Sequence, residues 1–226
     1  MKKVLIILLS LFTLGGVVAQ NADDYKAFIK ERKSLQKMTE AERSAKVAKD
    51  IKKQAKKFEK EGWKVNMGAL SIEKQLEKAQ QMQYEIDMNS GLPKYIMGES
   101  KATSTSYSAA KMQATANAKT ELAGNIQTEV AAIIEEKLGN NEMGNGEAIA
   151  ISEAVQVSKQ SIAQSIGRVI TVIECYRELP NKNFEVQVRI MYNTEMAAQA
   201  AKKAMKEELE KKGDKLSEQL DNLLGF

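Results

Sequence analysis

The 226-residue chain has no histidine and a single cysteine, Cys175. Without histidine no His-based catalytic triad can be assembled, and no His metal site either. One cysteine makes no internal disulfide, so the fold must rest on burial. Beside Ile173 and Tyr176, Cys175 reads as a small buried apolar residue. A dominant charge sign is also missing: 34 Lys and Arg face 30 Asp and Glu, a net charge of +4. Removing Lys2 and Lys3 with a leader leaves 34 − 2 − 30 = +2, a balance that gives no reason to expect nucleic acid as a partner. After the first nineteen residues there is no apolar run of the roughly 18 to 20 residues that a membrane span requires.

Those first residues carry their own signature. Lys2 and Lys3 precede the apolar run "VLIILLSLFTLGGVV", and Val17-Val18-Ala19 sets small residues before Gln20. This reads as a secretory signal peptide over 1–19, cleaved between Ala19 and Gln20. No cysteine lies at the cut to take a lipid. The expected location is periplasmic or secreted, open to association with the outer membrane.

Residues 23–61 read as helix. Ala41, Ala45, Ala48, Ile51, Ala55 and Phe58 form a narrow apolar stripe, and Thr39 with Glu42 resembles a capping box. The remaining face is basic, with twelve Lys or Arg against six Asp or Glu from Lys30 to Glu61. A stripe of alanines with one Phe buries little area, so this helix needs a body to lean on. Gly62 stops it, and "GWKVNMGAL" connects to a second helix over 71–88, capped by Ser71, with Ile72, Leu76, Ala79, Gln83 and Ile86 on one face. "NSGLP" at 89–93 is turn chemistry and the expected internal boundary.

Beyond it, 94–107 suits a strand, with Gly98 as a bulge position. Residues 108–138 predict a long Ala-rich helix whose inner side runs through Met112, Ala116, Leu122, Ile126, Val130 and Ile133. "GNNEMGNG" at 139–146 breaks it, and 147–165 predicts one further helix with Ile151, Val155 and Ile162 inward. Residues 168–179 are apolar on both faces and predict an inner strand. Phe184, Val186, Val188, Ile190 and Tyr192 alternate with polar residues and predict a half-buried strand. "PNKN" joins the two, its asparagines suited to left-handed backbone and its proline presetting a turn dihedral. Asn193 or Thr194 caps a last helix carrying Met196, Ala200, Ala204, Leu209, Leu216, Leu220 and Leu223 on one side, with Gly213 as a kink.

A hairpin alone is marginal in water and needs a third strand and a cover. The expected fold is therefore α+β: a small three-stranded, mostly antiparallel sheet packed against the long Ala-rich helix, with long helical extensions at both ends. The expected divisions are a leader over 1–19, a basic helical extension over 20–92, an α+β domain over 93–203 and a C-terminal helix tail over 204–226.

The element order, "IMGESKA", the helix positions Ala114, Ala118, Leu122, Ala123, Ile126 and Val130, and the run from Val186 to Tyr192 carry a family likeness. Across roughly residues 94–203 the chain resembles the LPP-twenty-like outer-membrane lipoprotein domain, related to the amino-terminal domain of flagellar T-ring assembly proteins. It is similar to a non-lipidated, Bacteroidetes-type member. The resemblance implies a cell-envelope component without enzymatic activity.

No catalytic, cofactor-binding or metal-ligating residue is expected. The loop "GNNEMGNGE" lacks the Lys of a phosphate loop and the acidic residues of a calcium loop, and reads as an interhelical turn. Ser108 and Lys111 match S-x-x-K in letters, but Ser108 reads as a helix cap. Glu135-Glu136 and Glu207-Glu208 are adjacent on helices and diverge. The expected partners are envelope proteins, a second copy of the chain included. A weak anionic-surface contact is expected through the basic helix, which otherwise serves as a solvated face with a packing stripe. Nucleic acid is not expected, for want of aromatics interleaved on a basic face. The alternative is a periplasmic holdase chaperone, whose basic arms and methionines (eleven in the full sequence, Met1 included) would hold unfolded clients.

Overall fold

The structure, a computed structural model, describes residues 40–87, 93–138, 145–210 and 220. In chain order the elements are α1 (Glu40–Lys60), α2 (Ile72–Tyr84), β1 (Tyr95–Ser104), α3 (Tyr107–Leu138), α4 (Asn145–Val157), α5 (Lys159–Ser165), β2 (Ile170–Glu178), β3 (Phe184–Asn193) and α6 (Thr194–Glu210). The strands form an antiparallel sheet in the order β1-β3-β2. The expected α+β fold, a small antiparallel sheet under a long Ala-rich helix, is the one observed.

Alternation along β3 sends Val186, Val188, Ile190 and Tyr192 to one face, where they join Ile96 and Ala102 of β1 in the main core. The facing surface of α3 is built from Ala110, Ala114, Ala118, Leu122 and Ile126, all fully buried. Small side chains at steps of four let this helix lie close to the sheet. Closest approach is at Gly98: a Cβ there would stand 2.3 Å from the Ala118 carbonyl oxygen and 2.7 Å from Leu122 Cβ. Gly98 is therefore a contact glycine and not the expected bulge, and its pairing with Ile190 is regular. The irregularity lies in β2, between Thr171 and Ile173. Helices α4, α5 and α6 cover the rest of α3 through Ile151, Ala154, Val155, Ile162, Ala197, Ala201, Ala204, Met205 and Leu209.

The opposite face belongs to α1, α2 and the connector between them. Ile51, Ala55, Phe58, Trp63, Ile72, Leu76, Ala79 and Met82 form a second cluster with Val172, Ile173, Cys175 and Met191. This cover corrects two strand expectations. β3 is buried on both faces, Gln187 and Arg189 included, and is the central strand rather than a half-exposed one. β2, expected inside, is an edge.

Both sheet edges are partly closed by groups outside the sheet, as exposed edges require. Along β2, Lys64 N–H donates to the Tyr176 carbonyl (2.7 Å), Tyr176 N–H donates back (2.9 Å), and Glu174 N–H donates to Gln75 Oε1 (2.7 Å). Along β1, Asn125 Nδ2 of α3 donates to the Met97 carbonyl (2.7 Å) and Glu121 Oε2 accepts from Glu99 N–H (3.2 Å).

Several local expectations change. Met112, Ala116, Ala48 and Met196, all expected inward, are exposed. The helix expected over 147–165 breaks at buried Ser158, whose hydroxyl donates to the Val155 carbonyl (2.7 Å), a bond that competes with continuation. The first strand ends at Ser104, and Ser106 rather than Ser108 caps α3, accepting from Ala109 N–H (3.2 Å). In the hairpin the left-handed residue is Lys182 (φ 64°), not an asparagine. α2 ends at Tyr84, ahead of Ile86, which bridges to Pro93. The Ser71 cap on Lys74 N–H (3.3 Å) and the Asn193 cap on Met196 N–H (3.0 Å) form as expected. The leader, Thr39, "NSGL" at 89–92, residues 139–144, Gly213, Leu216 and Leu223 lie outside the described residues. No helix among the described residues is long and apolar enough to cross a membrane.

Candidate functional site

The charged and polar side chains gather where the α1–α2 arm meets the sheet. Their placement begins with a helix terminus. At the end of α1, Gly62 adopts φ +81°, Gly62 N–H donates to the Glu59 carbonyl (3.0 Å) and Trp63 N–H to the Phe58 carbonyl (3.0 Å). This is a Schellman terminus, and its usual apolar contact is the Phe58–Trp63 ring pair, with centroids 5.8 Å apart. The turn swings Trp63 onto the sheet, where it is buried.

Around the indole lies a polar row. The Arg177 guanidinium carbon sits 4.7 Å from the Trp63 ring centroid and Lys101 Nζ 5.5 Å from it, both cation–π contacts. Arg177 Nε donates to Glu185 Oε2 (2.6 Å) and its Nη1 to the Glu61 carbonyl (3.3 Å), while Trp63 Nε1 donates to Glu61 Oε2 (3.2 Å). One step along the sheet, Glu99 accepts from Arg189 Nε (2.8 Å), Arg189 Nη2 (2.6 Å) and Gln187 Nε2. Gln187 Oε1, fully enclosed, has no partner among the described residues. Glu99 and Arg189 are largely shielded from water, so neither charge can lose its partner cheaply.

A second cluster pins the connector to α3 and β2. Tyr107 Oη donates to Glu174 Oε1 (2.7 Å), Lys111 Nζ lies 2.8 Å from the same oxygen, and Asn66 Nδ2 donates to Tyr107 Oη and to Glu174 Oε1 (3.5 Å). Burial and the hydrogen bond to Glu174 push the Tyr107 phenol up to about 12. The structure thus places Lys111 on Glu174. Burial also pushes the Cys175 thiol up to about 12, which keeps it protonated and unreactive at neutral pH. Among the described residues no three His, Cys, Asp or Glu side chains converge as metal ligands.

The third charged feature is α1 itself. Ile51, Ala55 and Phe58 hold it on α2, and Lys49, Lys52, Lys53, Lys56, Lys57 and Lys60 are exposed. Lys57 lies 3.8 Å from Glu61.

Sequence reasoning found the basic helix and missed both polar clusters. Phe58, Gly62 and Trp63 stand at the spacing of a Schellman terminus, so the Trp63 turn was detectable. The Tyr107–Glu174 and Asn66–Glu174 links join residues 67 and 108 positions apart, and no local pattern announces them. Set against known proteins, the chain matches no family model, no curated protein and no solved structure.

Proposed function

We propose that the chain is an exported, non-enzymatic cell-envelope protein that works by association, with the α1–α2 arm as its contact element. The observation that carries this is the division of its charge. The charged groups at the arm–sheet seam are engaged with one another (Glu99 with Arg189, Glu185 with Arg177, Glu174 with Lys111), whereas the outer face of α1 turns a set of lysines to solvent. The leader-like residues 1–19 support export. The LPP-twenty-like resemblance adds support: the six helix positions that carry it, Ala114, Ala118, Leu122, Ala123, Ile126 and Val130, are all buried. Fractionation of the producing cells, N-terminal sequencing of the recovered chain and crosslinking in intact cells test the reading together. Envelope recovery, a new N-terminus at Gln20 and one fixed crosslinked partner are expected. A chain retaining Met1 and recovered with the cytoplasm would refute it.

A holdase chaperone is the second reading, favoured by large apolar side chains held in solvent. Met67 and Leu70 of the connector and Met112 of α3 are exposed, Met67 completely. Stoichiometric suppression of aggregation of an unrelated client, lost in Met67→Ser/Leu70→Ser, would select this reading over a fixed partner.

A further inference from the structure

We propose that the outer ridge of α1 docks on an anionic lipid bilayer, with Lys49, Lys53, Lys56 and Lys60 meeting headgroup phosphates. The inference rests on the envelope reading for the presence of a bilayer, and on geometry for the rest. A helix advances about 100° per residue, so Ile51, Ala55 and Phe58 occupy an arc of about 60°. Lys49, Lys53, Lys56 and Lys60 occupy a second arc of the same width, its centre about 160° from the first. The buried stripe faces α2, so the lysine row points directly away from the body. Between Lys49 and Lys60 the carboxylates Asp50 and Glu59 stand on the flanks, each about 90° from the ridge centre, and Lys57 lies beside Glu61. Among the described residues none of the four ridge lysines has a carboxylate partner.

The ridge is not what helix stability alone would select. Its neighbours fall at steps of four, three and four, and like charges at those spacings repel. A solvated face would gain from alternating signs. What a uniform row of about 16 Å provides is four cations in one line on a rigid support.

The bilayer is preferred over a polymer because the row is convex and straight. A flat anionic surface meets all four ammonium groups at once, whereas a single-stranded nucleic acid is held in a groove with stacked aromatics. The described outer face of α1 from Lys49 to Lys60 has no aromatic residue, and Phe58 is buried. The apolar stripe is already occupied by α2, so contact is at headgroup level without insertion. Each lysine near such a surface strengthens partitioning by about fivefold.

The test is co-sedimentation of the chain beginning at Gln20 with phosphatidylglycerol–phosphatidylcholine vesicles and with phosphatidylcholine vesicles. Lys49→Gln/Lys53→Gln/Lys56→Gln/Lys60→Gln is compared with Lys78→Gln/Lys119→Gln/Lys182→Gln/Lys203→Gln, which changes net charge equally off the ridge. Both retain residues 20–39, so any charge contribution from that segment is shared, and a thermal melt verifies that both fold. Wild type and the off-ridge variant should bind anionic vesicles and release as salt rises from about 50 to 500 mM. The ridge variant should lose about 600-fold in partitioning, four factors of about fivefold. Equal binding by the two variants, or ridge-dependent binding to soluble heparin with none to vesicles, would overturn the proposal. Loss of vesicle binding by a chain still recovered in the envelope removes the docking surface alone. Cytoplasmic recovery of a vesicle-binding chain removes the envelope reading alone.

Discussion

On the α3 side of the sheet the contact is made mostly by alanines, Gly98 and aliphatic side chains, with Tyr192 and the rings of Tyr107, Tyr176 and Phe184 beside them and the helix backbone close to the strands. On the arm side a large indole sits against Arg177 and Lys101, and a step along the sheet the strand residues include Gln187, Arg189 and Glu99. The first face is held by shape and by removal of apolar surface from water, which tolerates neither a charge nor added volume. The second is held partly by hydrogen bonds between charged groups, which fix which strand residues meet but add less net stability. The difference separates a folding core from a seam that sets the direction of the arm. It can be broken from either side.

The largest effect belongs to the α3 face. Val188, 1% exposed in the central strand, points into the main core with no cation beside it among the residues of that cluster. Val188→Asp should cost on the order of 4 kcal/mol or more and abolish cooperative unfolding. Urea titration followed by circular dichroism checks this, and a melt like wild type would remove the inner row of β3 from the core.

On the arm side, Trp63→Ala should cost about 3 kcal/mol, the lower part of the range for a large buried aromatic, because the seam polar groups can be rehydrated. The loss should be local. Hydrogen exchange should quicken across Ile51–Met82 while Ala114–Ile126 stay protected. Uniform loss of protection through α3 would show one indivisible unit and erase the distinction between the faces.

Two glycines compare the faces at smaller scale. Gly98→Ala drives a methyl into α3 backbone, so about 2 kcal/mol is expected, since the helix must move. At Gly62 a Cβ meets nothing within 4 Å, but φ is +81°, so Gly62→Ala should cost about 1 kcal/mol through the dihedral alone. Thermal melts that rank the two in reverse would locate the tighter packing at the arm.

The same contrast explains what could be read in the sequence. The inner row of β3 was legible because Val186, Val188, Ile190 and Tyr192 are apolar at a period of two. Gln187 and Arg189 looked like a solvent face because they pair with Glu99, 88 and 90 residues away, on the sheet face that the α1–α2 arm covers. On α3, hydrophobicity favoured Met112 over Ala110 and Ala114. The sheet approaches too closely there for a long side chain, so the alanines face in and the methionine faces out. The basic helix was legible as composition, and its ridge became visible once Ile51, Ala55 and Phe58 fixed which way α1 faces.

The last expected effect is alkaline and vanishes at neutral pH. Tyr107 at the seam and Cys175 under the arm are both raised to about 12, from 10.0 and 9.0. A raised folded pKa means that the folded chain holds its proton more tightly than the unfolded chain. The stability so contributed is complete below the unfolded value and is lost as pH climbs towards the folded one. For Cys175 the loss begins near pH 9 and for Tyr107 near pH 10, both running to about 12. The midpoint of urea unfolding should therefore fall in two overlapping stages. Cys175→Ala should flatten the earlier stage and Tyr107→Phe the later one, each measured against its own value at pH 8. Because Tyr107 is substantially solvated, its stage should be the shallower of the two. If Cys175→Ala leaves the pH 9–10 decline unchanged, the thiol is not enclosed by the arm, and the second face is more open than its packing indicates.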